Sequence, residues 1–509
     1  MRTLNRRDFL KLIGSASATV ALQQVFHPPR NKSGQGETLP GIIIILFDTM
    51  SAKNLSLYGY SRKTTPNLER FAQRATVYHS HYSAGNYTVP GTASLLTGMY
   101  PWTHRAINTS GLIKREYSDR NIFHLLGSAY QRVGFAQNIW ANLFLNQFEQ
   151  DIPYHLPPSS FSDASLVVGE DFVNDHNAAF LAFDNSLTSV KDPPSSLLFG
   201  LAENLLFARR LKGAQGRDYP RGLPGLIDYP LYFRLENVFD GLIAECQKLQ
   251  SPPLAYFHLW APHEPYRPHR RFVNEFQEDL QVAAKAPHRL GDQLPQDSLD
   301  RLRRRYDQYV ANVDDEFGRL MDSLQENGIL DRNYVIVTSD HGQLIERGVH
   351  GHVTPLLYEP LINIPLLISS PGQSARKDVY SPSVNIDVLP TLLQIAGAAI
   401  PDWCRGQVLP GFMGDRADDQ RSLFSVEAKT NSAFAPLTKT TVAMRKGRLK
   451  LIAYLGYQEL EEGYELYDIE DDPEELNDLA PMAPSEFAFM KEELLDHLAD
   501  ANRPFQRSK

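Results

Sequence analysis

The chain has 509 residues, 42% hydrophobic and 22% charged, with a formal net charge of -9, enough for one large domain and a smaller one. The acidic balance excludes nucleic acid as a main partner, because phosphate backbones are held by basic faces. Cys246 and Cys404, the only two cysteines, are too few for a disulfide framework, and whether they pair stays open.

In chain order, the first feature is Asn5-Arg6-Arg7-Asp8-Phe9-Leu10-Lys11 ahead of the weakly apolar, small-residue segment Leu12 to Leu22. That order resembles a twin-arginine export signal, assigned to residues 1–30; the bland alternative is a basic N-terminal helix. It predicts the twin-arginine translocase as export partner and a periplasmic or otherwise exported location. The apolar stretch is short and rich in Ser, Ala and Thr, so no stable membrane span is expected in the mature form. Residues 31–40 read as a Pro/Gly/Ser-rich linker.

Ile42 to Phe47 is a continuous apolar run of strand length, the habit of strands buried on both faces of a parallel sheet. Leu254 to Phe257, Tyr334 to Val337 and Ile364 to Ile368 repeat it. Helical patterns lie between, over Asn67–Arg74, Arg120–Arg132 and Tyr306–Asn327. The alternation predicts an α/β sandwich with a mostly parallel central sheet. This catalytic domain is placed at residues 41–412, with loops and helices inserted over the active face at about 151–250. The short segments Thr441–Met444, Leu449–Tyr454 and Tyr464–Tyr467, ahead of a terminal helix, predict a small α+β domain over 413–509. The cluster Arg301, Arg303, Arg304 and Arg305 reads as a solvated helix face.

Two of the apolar runs end alike, one at Asp48 and the other at Ser339-Asp340-His341-Gly342. Ligands of open parallel sheets bind beyond the carboxyl ends of the strands. Two carboxylates and an imidazole delivered there can hold one divalent cation, although each segment alone also fits a cap or a polar turn. Between them, Thr88-Val89-Pro90 leads into another apolar run, with Pro90 suited to a first helical turn. Thr88 fits either a cap or a nucleophile at a helix N-terminus, where backbone N–H groups favour an anion. A threonine hydroxyl attacks only when a base or a metal lowers its pKa. A cation among Asp48, Thr88, Asp340 and His341 would supply that, and the mixed donor set admits Mn, Zn, Ca or Mg.

Further motifs extend this pattern. Asp48-Thr49, Leu57-Tyr58-Gly59-Tyr60, Thr65-Pro66-Asn67-Leu68 and Thr88-x-Pro90 with Ala93 to Gly98 come first. Pro262-His263-Glu264-Pro265-Tyr266, Ser339 to Gly342, Gly351-His352 and Asp387 to Leu393 follow. In this order they resemble the sulfatase family of the alkaline phosphatase superfamily, over residues 41–480 or so. The resemblance implies that superfamily's α/β fold, a metal-dependent ester hydrolase, and an ester substrate on a small molecule, glycan or lipid.

The departures point within the family. Sulfatases proper carry Cys or Ser at Thr88, converted to formylglycine, and Arg at Thr92, so no formylglycine is expected. The second aspartate of their Asp-Asp pair is Thr49, and their Asp-Asn pair is Asp340-His341. Their Gly-Lys-Trp-His segment corresponds to Ala141-Asn142-Leu143-Phe144. These changes resemble phosphonate monoester hydrolases and the threonine-using phosphoethanolamine and glycerol-phosphate transferases. A formylglycine hydrate releases sulfate by elimination through its second hydroxyl, which threonine lacks; a phosphothreonine can be attacked at phosphorus.

The expected function is therefore exported, metal-dependent hydrolysis of phosphate mono- or diesters or phosphonates through Thr88. A sulfatase, a phospho-alcohol transferase and a non-catalytic binding protein are the alternatives. His263 and His352 are candidate proton donors or oxyanion contacts, and Asn142 and His350 candidate substrate contacts. His258, inside an apolar strand, reads as a satisfied core histidine.

Overall fold

The computed structural model describes residues 39–163 and, apart from 206, 207, 210, 214, 227–230, 279, 281, 284, 413–418, 461 and 462, residues 205–506. The export signal expected over residues 1–30 and the middle of the 151–250 region lie outside the described residues.

Ile42 to Phe47 lies in strand β1 (Gly41–Phe47), buried along its whole length. The main elements that follow are α1 (Pro66–Ala72), β2 (Thr76–Tyr78), α2 (Thr88–Thr97), β3 (Gln131–Ala136), α3 (Ile139–Gln147) and β4 (Tyr154–Leu156). Next come α4 (Leu235–Lys248), β5 (Pro253–Leu259), α5 (Gln296–Glu326), β6 (Asn333–Ser339), β7 (Leu366–Ser369), β8 (Lys377–Val379) and α6 (Val388–Ile395). The strands form one eight-stranded sheet in the order β8-β2-β7-β6-β1-β5-β3-β4. Only β7 runs against the others.

Helix α5 covers one face of this sheet. Its Tyr306, Val310, Val313, Phe317, Leu320 and Leu324 recur every three or four residues and are all buried, the stripe of an amphipathic helix. They share a core with Ile43, Ile45 and Phe47 of β1, and Phe317 meets the Phe47 ring edge-on at 6.0 Å. Ile42, Ile44 and Leu46 point to the other face and are equally buried. Burial on both faces is why β1 shows no alternation. Helix α1 begins without a cap from its own Thr65. Asp314 of α5 takes over, accepting the backbone N–H groups of Asn67 and Leu68 at 2.8 Å each.

Towards the C-terminus, β9 (Leu423–Glu427), β10 (Thr440–Lys446), β11 (Leu449–Leu455) and β12 (Tyr464–Asp468) form a small antiparallel sheet in chain order, followed by α7 (Pro484–Asn502). Met490, Leu494 and Leu498 of α7 share a core with Leu451 and Leu466 of that sheet.

Three expectations change. Arg120–Arg132 holds only a short helix, Ile122–Leu126, that stops at Gly127 (φ +64) before the chain enters β3. Pairing with β5 and β4 on either side makes Gln131–Ala136 a strand despite its weak pattern. The end of the 151–250 region is α4, one of the helices expected there, but its Leu235, Val238 and Leu242 pack in the same core cluster as α5. Arg303 is buried and donates to the Ile345 carbonyl, so the arginine cluster is not wholly solvated. Among the described residues Cys246 and Cys404 are free thiols, and no helix is long and apolar enough to cross a membrane.

Candidate active site

Four adjacent parallel strands, β6, β1, β5 and β3, end at one edge of the sheet and deliver the polar residues. Asp48 follows β1, Asp340 and His341 follow β6, and Asn138 follows β3. The register sets Leu46 opposite both His258 and Thr338, and Ala136 opposite His258, so the four strand ends are level. Thr88 enters from outside the sheet as the first residue of α2, whose N-cap position is Tyr87. The Tyr87 side chain makes no capping bond, and the Thr88 hydroxyl meets groups at the strand ends.

The groups converge closely. Thr88 Oγ1 lies 3.4 Å from His341 Nε2 and 3.2 Å from Asn138 Nδ2. The Asp48 carboxylate is 3.5 Å from His341 Nε2 through one oxygen and 3.5 Å from His258 Nε2 through the other. Asp340 Oδ2 is 3.5 Å from His341 Nε2 and 3.6 Å from His258 Nε2. Asn138 also donates to Asp48 Oδ2.

The residues present fit a divalent ion. Asp48 Oδ1, Asp340 Oδ2 and His258 Nε2 are fully buried and have no hydrogen-bond partner. Lone pairs of two facing carboxylates buried in this way cost several kcal/mol unless a cation is shared, on the order of the penalty for any unpaired buried charge. Ligands each about 2.1 Å from one tetrahedral ion stand ~3.4 Å apart, close to the gaps observed. His341 Nδ1 sits 2.9 Å from the Gly342 carbonyl, which can only accept, so that nitrogen carries the proton and Nε2 offers a lone pair to the carboxylates.

Burial acts on every member. It pushes Asp48 up to about 6 and Asp340 well above the usual carboxylate range, the latter also through the charge of Asp48. The same burial pulls His258 down to about 4 and His341 to about 3. Desolvation dominates throughout, and it disfavours whichever form is charged.

His258 is therefore not a satisfied core histidine: its Nε2 faces both carboxylates. It joins Asp48 and Asp340 as a third group able to hold a metal. The weak apolar pattern of β3 leaves Asn138 unmarked in the sequence; its signal is the same strand-then-polar-residue order that marks Asp48. Asn142, one turn further along α3, is not brought to Thr88, and its side-chain oxygen bonds His155 Nε2 at 2.8 Å.

Thr88 opens into a cavity of about 360 Å³ lined also by Tyr87, Trp140, Trp260, His263, Glu264, His350 and His352. A larger cleft of about 1180 Å³, partly bounded by Arg445 of β10 and Arg448 of the turn after it, contains none of these residues; the chemistry, not the size, picks out the first. His263 donates from Nδ1 to the Glu264 carbonyl at 2.8 Å and packs tilted against Trp260, with ring centroids 4.0 Å apart. His352 bonds Gln343 Oε1 at 3.2 Å, its ring 4.7 Å from His341 and 4.8 Å from His263. Burial lowers both histidines, but the Asp48 carboxylate opposes this at His263, whereas neighbouring histidines push His352 lower still. Of the two, His263 is the one placed to take a proton. His350 lines the cavity, yet its Nε2 is engaged by the Tyr266 hydroxyl at 2.9 Å.

A model of the sulfatase family matches residues 40–398, and one of the C-terminal region of N-sulphoglucosamine sulphohydrolase matches residues 348–503. The N-acetylglucosamine-6-O-sulfatase of Bacteroides thetaiotaomicron is 23% identical over 96% of this chain and 90% of its own length. The choline-sulfatase of Rhizobium meliloti is 24% identical over 87% and 82%. Among solved structures, the phosphonate monoester hydrolases of Silicibacter pomeroyi and Agrobacterium radiobacter superpose with TM-scores of 0.63 and 0.64. They cover 91% of this chain and 96% of theirs at 19% and 17% identity, a likeness of fold.

Proposed function

The chain belongs to the sulfatase family, metal-dependent hydrolases of the alkaline phosphatase superfamily, and on that premise we propose that it cleaves phosphate esters or phosphonates through Thr88. The observation that carries this reading is the unmodified threonine, buried beside the Asp48 site with its hydroxyl against Asn138 and His341. The relatives' names are those of sulfatases, but threonine lacks the second hydroxyl through which a formylglycine hydrate expels sulfate.

Asp48, His258, Asp340, His341 and Thr88 would hold the divalent ion, which supplies Lewis-acid charge that favours the ionised hydroxyl and offsets charge on the transferring group. Thr88 Oγ1 forms a bond to phosphorus as the bond to the leaving oxygen breaks. The departing oxygen takes a proton from His263 Nε2, and Asn138 holds the attacking oxygen in place. Water then adds to phosphorus, returns a proton to His263, and releases Thr88. His352, held neutral, serves as a hydrogen-bonding contact. The Arg6-Arg7 pattern supports an exported location for this activity.

The test is a panel of aryl phosphate, phosphodiester, phosphonate and sulfate esters with the metal-loaded protein, quenched in acid for mass spectrometry of the Thr88 peptide. Phosphoryl turnover with phosphate on Thr88 is the expected result. Turnover of sulfate esters alone, or phosphoryl turnover that survives Thr88→Ala, overturns the reading.

A further inference from the structure

We infer that His258 is a metal ligand oriented by Tyr256, and that it makes this a nitrogen-rich site for a first-row transition ion or zinc in preference to calcium or magnesium. The inference rests on the same metal site as the proposed function but not on which ester is cleaved.

The geometry is specific to this histidine. Its Nε2 is 3.5 Å from Asp48 and 3.6 Å from Asp340, longer than ordinary N–H···O bonds, so the ring is not there to donate to either acid. His104, as deeply buried, bonds through both ring nitrogens, to Ser94 and to the Ala106 amide. His81 also leaves its Nε2 unmet, but among the described residues it forms no ion pair. What sets His258 apart is that its unmet nitrogen faces two carboxylates, each of which keeps one unmet oxygen, Oδ1 of Asp48 and Oδ2 of Asp340.

Tyr256 stands two residues earlier on β5, and in a strand alternate side chains share a face. Its hydroxyl is 3.0 Å from His258 Nδ1, and both residues are fully buried. With the proton on Nδ1 and the phenol oxygen accepting it, the lone pair of Nε2 points at the acids. This is the usual arrangement by which an outer partner sets the tautomer of a ligating histidine.

Donor chemistry gives the class of ion. His258 and His341 contribute two imidazole nitrogens beside two carboxylates and one hydroxyl. Calcium and magnesium take oxygen-only shells, whereas imidazole suits manganese through zinc.

The full-length protein, stripped of metal, is titrated separately with Zn²⁺, Mn²⁺, Ca²⁺ and Mg²⁺ in a calorimeter. Wild type is expected to bind Zn²⁺ at least ~100-fold more tightly than Ca²⁺. His258→Asp should narrow that ratio by ~10-fold or more, by weakening Zn²⁺ and strengthening Ca²⁺. Tyr256→Phe should weaken Zn²⁺ by about 10- to 100-fold and add nothing further in the His258→Asp background. An unchanged Zn²⁺ to Ca²⁺ ratio in His258→Asp, or an undiminished Tyr256→Phe effect in that background, overturns the assignment of His258 alone. Failure of wild type to bind any of the four ions overturns the metal site as well. The Co²⁺-loaded wild type decides the matter even where variants do not fold. Two exchangeable ring N–H resonances shifted by the ion, one per histidine, are expected in its proton NMR spectrum, and one alone excludes His258.

Discussion

Asn138 and Thr88 meet side chain to side chain, the amide nitrogen 3.2 Å from the hydroxyl oxygen, across a separation of 50 residues in the chain. The same amide donates to Asp48, so one side chain ties the attacking group to the first acid. Asn138→Ala is expected to lower kcat/KM on an aryl phosphodiester by about 10- to 100-fold, the usual cost of losing a group that orients a ligand. Asn138→Asp should be worse, since it sets a further negative charge beside Asp48. Equal activity of both variants with wild type removes Asn138 from the site.

Thr88→Ala should abolish turnover, by at least ~10³-fold in kcat, as loss of a nucleophile does elsewhere. Thr88→Ser, which keeps the hydroxyl, should retain a measurable fraction. Steady-state assays on the same substrate read both, and equal losses in the two variants would point to packing rather than attack.

In the metal-free protein Asp48 titrates at about 6 against an ordinary 3.8. A raised folded value means that this group's contribution to stability is complete below the unfolded pKa and is lost as pH rises through about 6. A bound cation favours the carboxylate and reverses the loss. The rise in Tm on adding Mn²⁺ should therefore be larger at a pH of about 8 than of about 5. Equal rises at the two pH values contradict this account.

Asp314 caps α1 from α5 through two backbone N–H groups. Asp314→Ala leaves those donors buried and is expected to cost about 1–3 kcal/mol in urea unfolding. Metal affinity should not move, because neither helix carries a ligand.

Export is tested by changing Arg6 and Arg7 together to lysine, which should hold the protein in the cytoplasm if the segment is a twin-arginine signal. Fractionation of cells expressing both forms reads the outcome, and unchanged export defeats the assignment.

Much of the frame was legible in the residues. Ile42 to Phe47, Leu254 to Phe257 and Tyr334 to Val337 are apolar without alternation because each lies in the middle of a sheet covered on both faces. Asp48 follows the first run directly and Asp340 follows the last after Thr338 and Ser339, which is enough to place them at one edge. Gln131–Ala136 lacks such a run: its first two residues are half-buried and a glycine interrupts it. Without a legible β3, the sequence pattern assigns Asn138 to no sheet edge.

His258 marks the boundary most plainly. Period-two geometry puts it on the same face as Tyr256, but a strand's own residues do not say which face meets the core and which meets the acids. Pairing of Leu46 with His258 on one side and Thr338 on the other makes that choice. By itself the sequence determined the type of fold, the acids at the strand ends and the threonine before a helix, because these depend on local apolar pattern and on near neighbours. Only the tertiary structure decided that an asparagine and a histidine complete the site, because sheet order and register arise from pairing between segments far apart in the chain.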